Sequence, residues 1–433
     1  MSSGSELPTS GSSPSAGSAS NWYSRWFGDV PGGALFALGL LGFLTLASYE
    51  IARPTVEALY QQAYGSENEP WAWLGVAVFV TIVVAVYARL AAKMPLHRLL
   101  VWMVVAATVV LAILILMLRA NVPGTPYLLY IWKDIYIVIL IEMFWSIANS
   151  KFPLKTAKWL YGFFLVLGSV GAITGGRLAK LLSTQKLGFE LSMWAVAGVL
   201  LLCFVVSFWV PRAEDASSDK KEKTDFLEGW RVVKGSQYLG LLLGIIAMTQ
   251  IAITLIDYDF KVSVQGAYPD GLVRQGVLAD VYSTINFSAL ILQIGAGVVI
   301  GYLGLRWTLI GIPIFLLLTL AAFLITPVFA VMVVAKVASK AFDYSVFRAG
   351  KELLYLPLSS AEKTQGKAVV DMLTYRVAKG AASALLLGMK YVSAAPRIAS
   401  IMAVFIVGIW IALTVPLLRR YRTVVGTKEQ DTT

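Results

Sequence analysis

Apolar runs of about twenty residues recur twelve times along this chain of 433 residues. Wound as an α-helix, a run of that length crosses the roughly 30 Å hydrocarbon core of a bilayer. The runs begin near Gly33, Trp71, His97, Tyr127, Ala157, Phe189, Tyr238, Asp280, Trp307, Val328, Lys367 and Arg397. In lipid every backbone N–H and C=O must be satisfied internally, so such a pattern predicts an all-α polytopic membrane protein of about twelve transmembrane helices. Two or three soluble domains are excluded by composition: 58% of residues are hydrophobic and 14% charged, too few charges to clothe a water-facing surface.

Twelve spans put both termini on one side. The longest polar break after the first span, with its "KKEK" run, separates spans six and seven. The expected division is a disordered Ser/Gly/Pro tail at 1–20, a six-helix bundle at 21–211, a cytoplasmic linker at 212–236, a second six-helix bundle at 237–422 and a tail at 423–433. The echo of "KTAKWLYG" from Lys155 in "KTQGKAVVD" from Lys363, at the same place in each half, suggests a parallel repeat. Trp22, Tyr23 and Trp26 beside Arg25 read as an interfacial anchor or a structured linker. Trp71, Trp73 and Trp307 at helix starts read as interface residues.

The net charge of +11 reflects topology rather than nucleic-acid binding. Arg89, Lys93, Arg98, Lys151, Lys155, Lys158, the central linker's Lys220, Lys221 and Lys223, then Arg348, Lys351, Lys363 and Arg419, Arg420 and Arg422 all collect on one side. By the positive-inside rule that side, with both termini, is cytoplasmic. One cysteine, Cys203, allows no intramolecular disulfide. The single histidine, His97, sits in a short basic loop and reads as solvated. Gly171 with Gly175, and Gly297 with Gly301, are small-xxx-small pairs that let helices approach closely.

Charges inside apolar helices are expensive and call for a use. The segment 335–379 concentrates them. At 1.5 Å per residue Lys336, Lys340 and Asp343 lie about 12, 18 and 22 Å along the tenth helix, and Arg376 and Lys379 about 14 and 18 Å along the eleventh. If the two helices line one cavity, Lys336, Lys340, Arg376 and Lys379 converge near the midplane, either as a cationic pocket or as pairs with Asp343 or Asp134. The first half adds Glu50, Arg53 and Glu57 on one helix face, then Lys133, Asp134 and Glu142, then Arg177 and Lys180, read as snorkelling to the headgroups. In "LIDYDFK", Asp257 lies near the mouth, with Asp259 and Lys261 expected at the surface.

Cations near the midplane suit an anion of several charges, phosphates above all. Tyr344, Tyr375 and Trp132 are candidates for a base-binding slot by proximity in sequence. No P-loop, metalloprotease helix or nucleophile elbow occurs, so no catalytic residue, metal or cofactor is called for and the chain does not read as an enzyme.

The stretch "FDYSVFRAGKELLYLPLSSAEKTQGKAVVDMLTYRVAKGAAS" resembles the ADP/ATP translocase family of plastids and intracellular bacteria, a branch related to the major facilitator fold. The match rests on Lys351 and Glu352, "YLPL" from Tyr355, Gly366 and Lys367, Asp371, and Lys379 before Gly380, with support from "FWSIAN", "AKWLYG", "GSVGAITGG" and "LIDYDFK". Asp257 stands where the family carries an acidic residue, and Val56 where it carries a first-helix lysine. The resemblance implies a major-facilitator-like carrier exchanging nucleotides across a cytoplasmic membrane by alternating access. Lys336, Lys340, Arg376, Lys379 and Lys133 would then contact substrate. Glu50, Arg53, Asp134, Glu142, Asp257, Asp343 and Asp371 would serve gating or coupling. The alternatives are a proton-coupled carrier of another organic anion or drug, with Asp134 or Glu142 as proton site, and a non-transporting partner whose charges pair off. Expected partners are an anionic small molecule and the bilayer, without nucleic acid; a monomer is compatible with the sequence.

Overall fold

A computed structural model describes residues 32–91, 93–152, 154–185, 188–210, 226–359, 362–391 and 397–430. The first half comprises α1 (Gly32–Tyr64), α2 (Glu69–Ala91), α3 (Leu96–Arg119), α4 (Thr125–Lys151), α5 (Leu154–Ser183) and α6 (Gly188–Ser207). A short helix α7 (Phe226–Gly235) precedes α8 (Gln237–Ala267), α9 (Gly271–Ile325), α10 (Phe329–Tyr344), α11 (Val346–Tyr355), α12 (Lys367–Tyr391) and α13 (Ile398–Gln430). The described residues form helices and connecting turns, with no strand among them.

Helix α9 holds two spans. Gly304 interrupts it at φ 78°, ψ 155°, a backbone conformation that only glycine adopts without strain. Counting 271–303 and 305–325 separately gives twelve long helical segments among the described residues, as the apolar runs predict. Eight helices among the described residues qualify as membrane spans on length and composition alone, α9 counted once. Of the helices that fall short, α4 carries Lys133 and Asp134, the 16-residue α10 carries Lys340 and α12 carries Lys379. One boundary differs from expectation: the eighth span starts at Gly271, nine residues before Asp280. Asp270 caps it, its Oδ1 accepting from the Leu272 and Val273 amides at 2.9 Å each, a stop-start signal that outweighs the polar residues following it.

Helix α1 is the axis of the first half, packed against α5, α6 and α4, and α8 is the axis of the second, packed against α13, α12 and α10. Because lipid tails are as apolar as leucine, helices in a bilayer associate through close packing and polar contacts rather than the hydrophobic effect. On α5 this is literal. A Cβ at Gly171 or Gly175 would fall on the backbone of Phe43 or Ala47, so α5 touches α1 main chain to main chain.

The halves meet mainly through α5 with α9, α1 with α9, and α2 with α12. The α5–α9 seam is antiparallel, with a Gly176–Ser283 approach, a Lys180–Asp280 ion pair and a Ser183–Gly276 approach in matched register. Nearby, the Arg274 guanidinium donates to the Ala58 carbonyl at 3.2 Å, and Gln275 donates to the Ala179 carbonyl at 3.2 Å and Ser192 Oγ at 2.8 Å. All of these contacts join the two halves toward the end of the bundle opposite the start of α1 and the end of α13.

Candidate functional site

A cavity of about 690 Å³ lies between the halves. Its wall carries five bases, Arg53, Lys133, Lys261, Lys340 and Lys379, and four acids, Glu50, Glu57, Asp134 and Asp257. The first half contributes residues of α1, α2, α4 and α5, and the second residues of α8, α9, α10 and α12. Tyr49, Trp73, Tyr130 and Tyr344 supply an aromatic share of the wall, and Val76, Ala77 and Val80 of α2 an apolar strip.

The first-half charges form a chain of pairs. Arg53 lies 3.6 Å from both Glu50 and Glu57, the i, i+3 and i, i+4 network its spacing predicts. Lys133 bridges Asp134 at 2.9 Å and Glu57 at 3.7 Å. Aromatic rings steady the cations: the Arg53 guanidinium stands 3.7 Å over the Tyr282 ring and the Lys133 ammonium 3.9 Å over that of Tyr130, distances at which the ring quadrupole attracts charge.

Lys261 ties the halves together. It pairs with Glu69, lies 3.5 Å from Glu57, and donates to Tyr130 Oη at 3.2 Å. Tyr130 Oη in turn donates to Glu69 at 3.0 Å and accepts from Trp73 Nε1 at 2.9 Å, while Tyr282 donates to Glu57. A charge buried this deeply persists only with partners on several sides. Lys261 was expected at the surface with Asp259. Both are buried instead, Asp259 accepting from Ser400 Oγ of α13. The signal was available: Lys261 is four residues beyond Asp257 and shares its helical face.

The remaining predicted residues separate into groups. Lys340 and Lys379 reach the cavity wall together, as the depth argument expects, Lys340 5.4 Å from the Tyr344 ring and Lys379 5.6 Å from that of Trp73. Lys336 does not line the wall; it is fully buried and paired with Asp257, whose carboxylate reaches it from the facing helix α8. Asp343 accepts from Gln250 Nε2 at 3.4 Å, outside the wall. Glu142 is exposed two turns beyond Asp134 on α4 and is not a wall residue. The side chains of Asp371, Tyr375 and Arg376 lie outside the described residues, although their backbone belongs to α12.

Three expectations are corrected. Trp132 is no base slot: it is buried against α3, donating to the Ala107 carbonyl at 3.1 Å and stacking on Tyr136 at 4.4 Å. Trp73 is buried in the site rather than placed at the membrane interface, unlike Trp71, which is 49% exposed. Arg177 and Lys180 pair with Asp280 at 3.2 and 2.5 Å across the seam, because the early start of α9 brings that aspartate opposite them. Tyr49, Trp73, Tyr130 and Asn286 were missed as wall residues; nothing in their spacing marks them apart from ordinary packing.

Residues 125–421 match the family model described as TLC ATP/ADP transporter. The chain is 24% identical over 304 residues to ADP,ATP carrier protein 3 of Rickettsia bellii (strain RML369-C), covering 58% of this chain and 60% of that one. It is 24% identical over 347 residues to ADP,ATP carrier protein 1 of Chlamydia pneumoniae, covering 68% and 67%, and 25% identical over 282 residues to the chloroplastic ADP,ATP carrier protein 1 of Arabidopsis thaliana, covering 57% and 45%. The aligned region thus spans between 45% and 67% of the length of these relatives. Among solved structures, the nucleoside transporter NupG superposes with a TM-score of 0.63 at 14% identity, covering 90% of this chain and 99% of its own. A bacterial homologue of the iron transporter ferroportin, in an inward-facing state, gives 0.65 at 12%, covering 89% and 98%. These likenesses establish the major-facilitator-like fold.

Proposed function

The chain belongs to the TLC ATP/ADP transporter family, and from that premise we propose that it exchanges nucleotides across a membrane by alternating access. The observation that carries the reading is the convergence of Lys340 and Lys379 from the second half, and Arg53 and Lys133 from the first, on one cavity with an aromatic and apolar wall. Lysine ammoniums meet phosphate oxygens as point charges and arginine as a bidentate fork; the rings and the apolar strip suit a base. Lys340 and Lys379 bind phosphate, while Arg53, Lys133, Glu57, Asp257 and Lys261 exchange partners as the cavity reopens at its other end.

In this reading the bundles at 21–211 and 237–422 rock about the cavity. The membrane is the cytoplasmic one, and the termini face the cytoplasm, which the Lys and Arg distribution supports. The substrate crosses unaltered, so the site performs no catalysis.

Purified protein in liposomes preloaded with unlabelled nucleotide tests this. Labelled nucleotide should enter only when nucleotide is present inside. Lys379→Ala should lower its apparent affinity about tenfold or more, the value of a lost charge-assisted hydrogen bond. Entry of no nucleotide, with a pH gradient instead driving another organic anion, would defeat the proposal.

A further inference from the structure

Resting on that nucleotide reading, we infer that Glu50 of α1 and Asn286 of α9 form a ribose subsite, the carboxylate accepting from a sugar hydroxyl and the amide donating to one. Two helices running in opposite senses set the pair. Glu50, Arg53 and Glu57 recur along one face of α1. Opposite them on α9, Tyr282 donates to Glu57 and lays its ring 3.7 Å from the Arg53 guanidinium. Asn286 follows Tyr282 by one turn on the same face of α9. Because Arg274 meets Ala58 and Tyr282 meets Glu57, α9 descends as α1 ascends, and that turn brings Asn286 beside the Glu50 carboxylate. Both side chains line the cavity, one from each half of the protein.

Each of the two ends in an unpaired atom. Glu50 is 4% exposed. Its Oε1 lies 3.6 Å from Arg53, whereas its Oε2 is buried with no hydrogen-bond partner among the described residues, and so is the Nδ2 of Asn286. A buried acceptor or donor left unpaired costs free energy, which a ligand recovers by supplying the partner. The chemistry of the pair selects that ligand group. A carboxylate oxygen calls for a donor, so it turns away a phosphate, which brings negative charge and little proton to offer. A cation is opposed by the Arg53 guanidinium standing against the same carboxylate. A hydroxyl donates and accepts through one atom, which suits an acceptor and a donor side by side. In a nucleotide the neutral hydroxyls belong to the ribose, where two of them are adjacent. A sugar held there touches both halves at once, so its binding draws the two bundles together about the substrate.

Competition for entry of labelled ADP into proteoliposomes tests the inference, with ADP, GDP and the 2′-deoxy and 3′-deoxy forms of each as competitors. In the native protein at least one deoxy form should compete about tenfold or more weakly than its parent, the loss of a hydrogen bond to a charged group, and by a similar factor for both bases. Glu50→Gln, which removes the charge, and Asn286→Ala, which removes the amide, should each shrink that factor to about threefold or less. Asn286→Ala, at a half-buried position, carries the test if Glu50→Gln does not fold. Equal competition by the parents and their deoxy forms overturns the inference while leaving nucleotide exchange intact, and so does an unchanged deoxy factor in either folded variant. Variants that alter the preference between ADP and GDP but keep the deoxy factor put a base edge at this slot and overturn it likewise. Failure of every nucleotide to compete removes both this inference and the reading beneath it.

Discussion

Adjacent glycines on α5 face different halves of the protein, and their substitution should separate folding from conformational change. A Cβ added at Gly176 falls on Ser283 Oγ, inside the 3.0 Å that real side chains keep clear, and 3.3 Å from the Ala279 carbonyl oxygen. Ordinary contact begins near 3.4 Å, so a methyl is accommodated once the Ser283 hydroxyl turns away, whereas the larger leucine side chain must push α5 and α9 apart. Overpacking of this kind costs about 1–3 kcal/mol. The cost falls only on the state in which the seam is closed, because the contact crosses between halves. At about 1.4 kcal/mol per factor of ten, Gly176→Leu should shift the population toward the state open at that end by roughly 5- to 150-fold.

The readout is alkylation of a cysteine placed at Asn286, on the cavity wall, by a membrane-impermeant maleimide added on the side opposite the termini. The native Cys203 is buried and gives a low background. Gly176→Leu should accelerate labelling about tenfold or more while the protein stays monodisperse. Gly175→Leu, whose Cβ falls on the Ala47 backbone within the same half, should instead lower thermal stability or abolish folding. Unchanged labelling in a folded Gly176→Leu protein would refute the claim that the α5–α9 seam closes this end.

Further predictions follow from the site and the packing around it. Lys261→Met leaves Glu57 and Glu69 without their shared cation and should lower stability by about 3–5 kcal/mol, read as a fall in the thermal unfolding midpoint in detergent. Trp132→Ala empties a buried stacked site and should cost about 3–5 kcal/mol of stability without altering nucleotide preference in competition assays. Arg177→Ala combined with Lys180→Ala removes exposed pairs to Asp280; the effect on stability should stay below about 1 kcal/mol, whereas labelling at Asn286→Cys should quicken.

The helices were legible because the bilayer leaves few choices. Eleven of the twelve predicted starts fall close to the observed ones, since a run of apolar residues must close its own hydrogen bonds. The exception, near Asp280, has a physical cause: α9 begins with "GLVRQGVLAD", polar enough to resemble a loop, and its Arg274, Gln275 and Asp280 find hydrogen-bond partners in Ala58, Ala179, Ser192 and Lys180 of the other half. The same limit explains Lys261 and Asp259. A charged residue near a helix end is read as solvated unless its partners are known, and those partners lie far away in sequence.

Of the candidate site, the sequence by itself determined which helices would bear charge and at what depth, because rise per residue and the 3.6-residue repeat set a side chain's height and its direction on its own helix. Lys340 and Lys379 at one level follow from that alone. Which charges stay at the wall and which are spent on one another was decided only by tertiary structure. Lys336 meets Asp257 across 79 residues and Lys261 meets Glu69 across 192. Helical periodicity says which way a side chain points; what it points at depends on which helix packs alongside, and small residues such as Gly171, Gly175 and Gly176 set those neighbours by how closely they let two backbones approach.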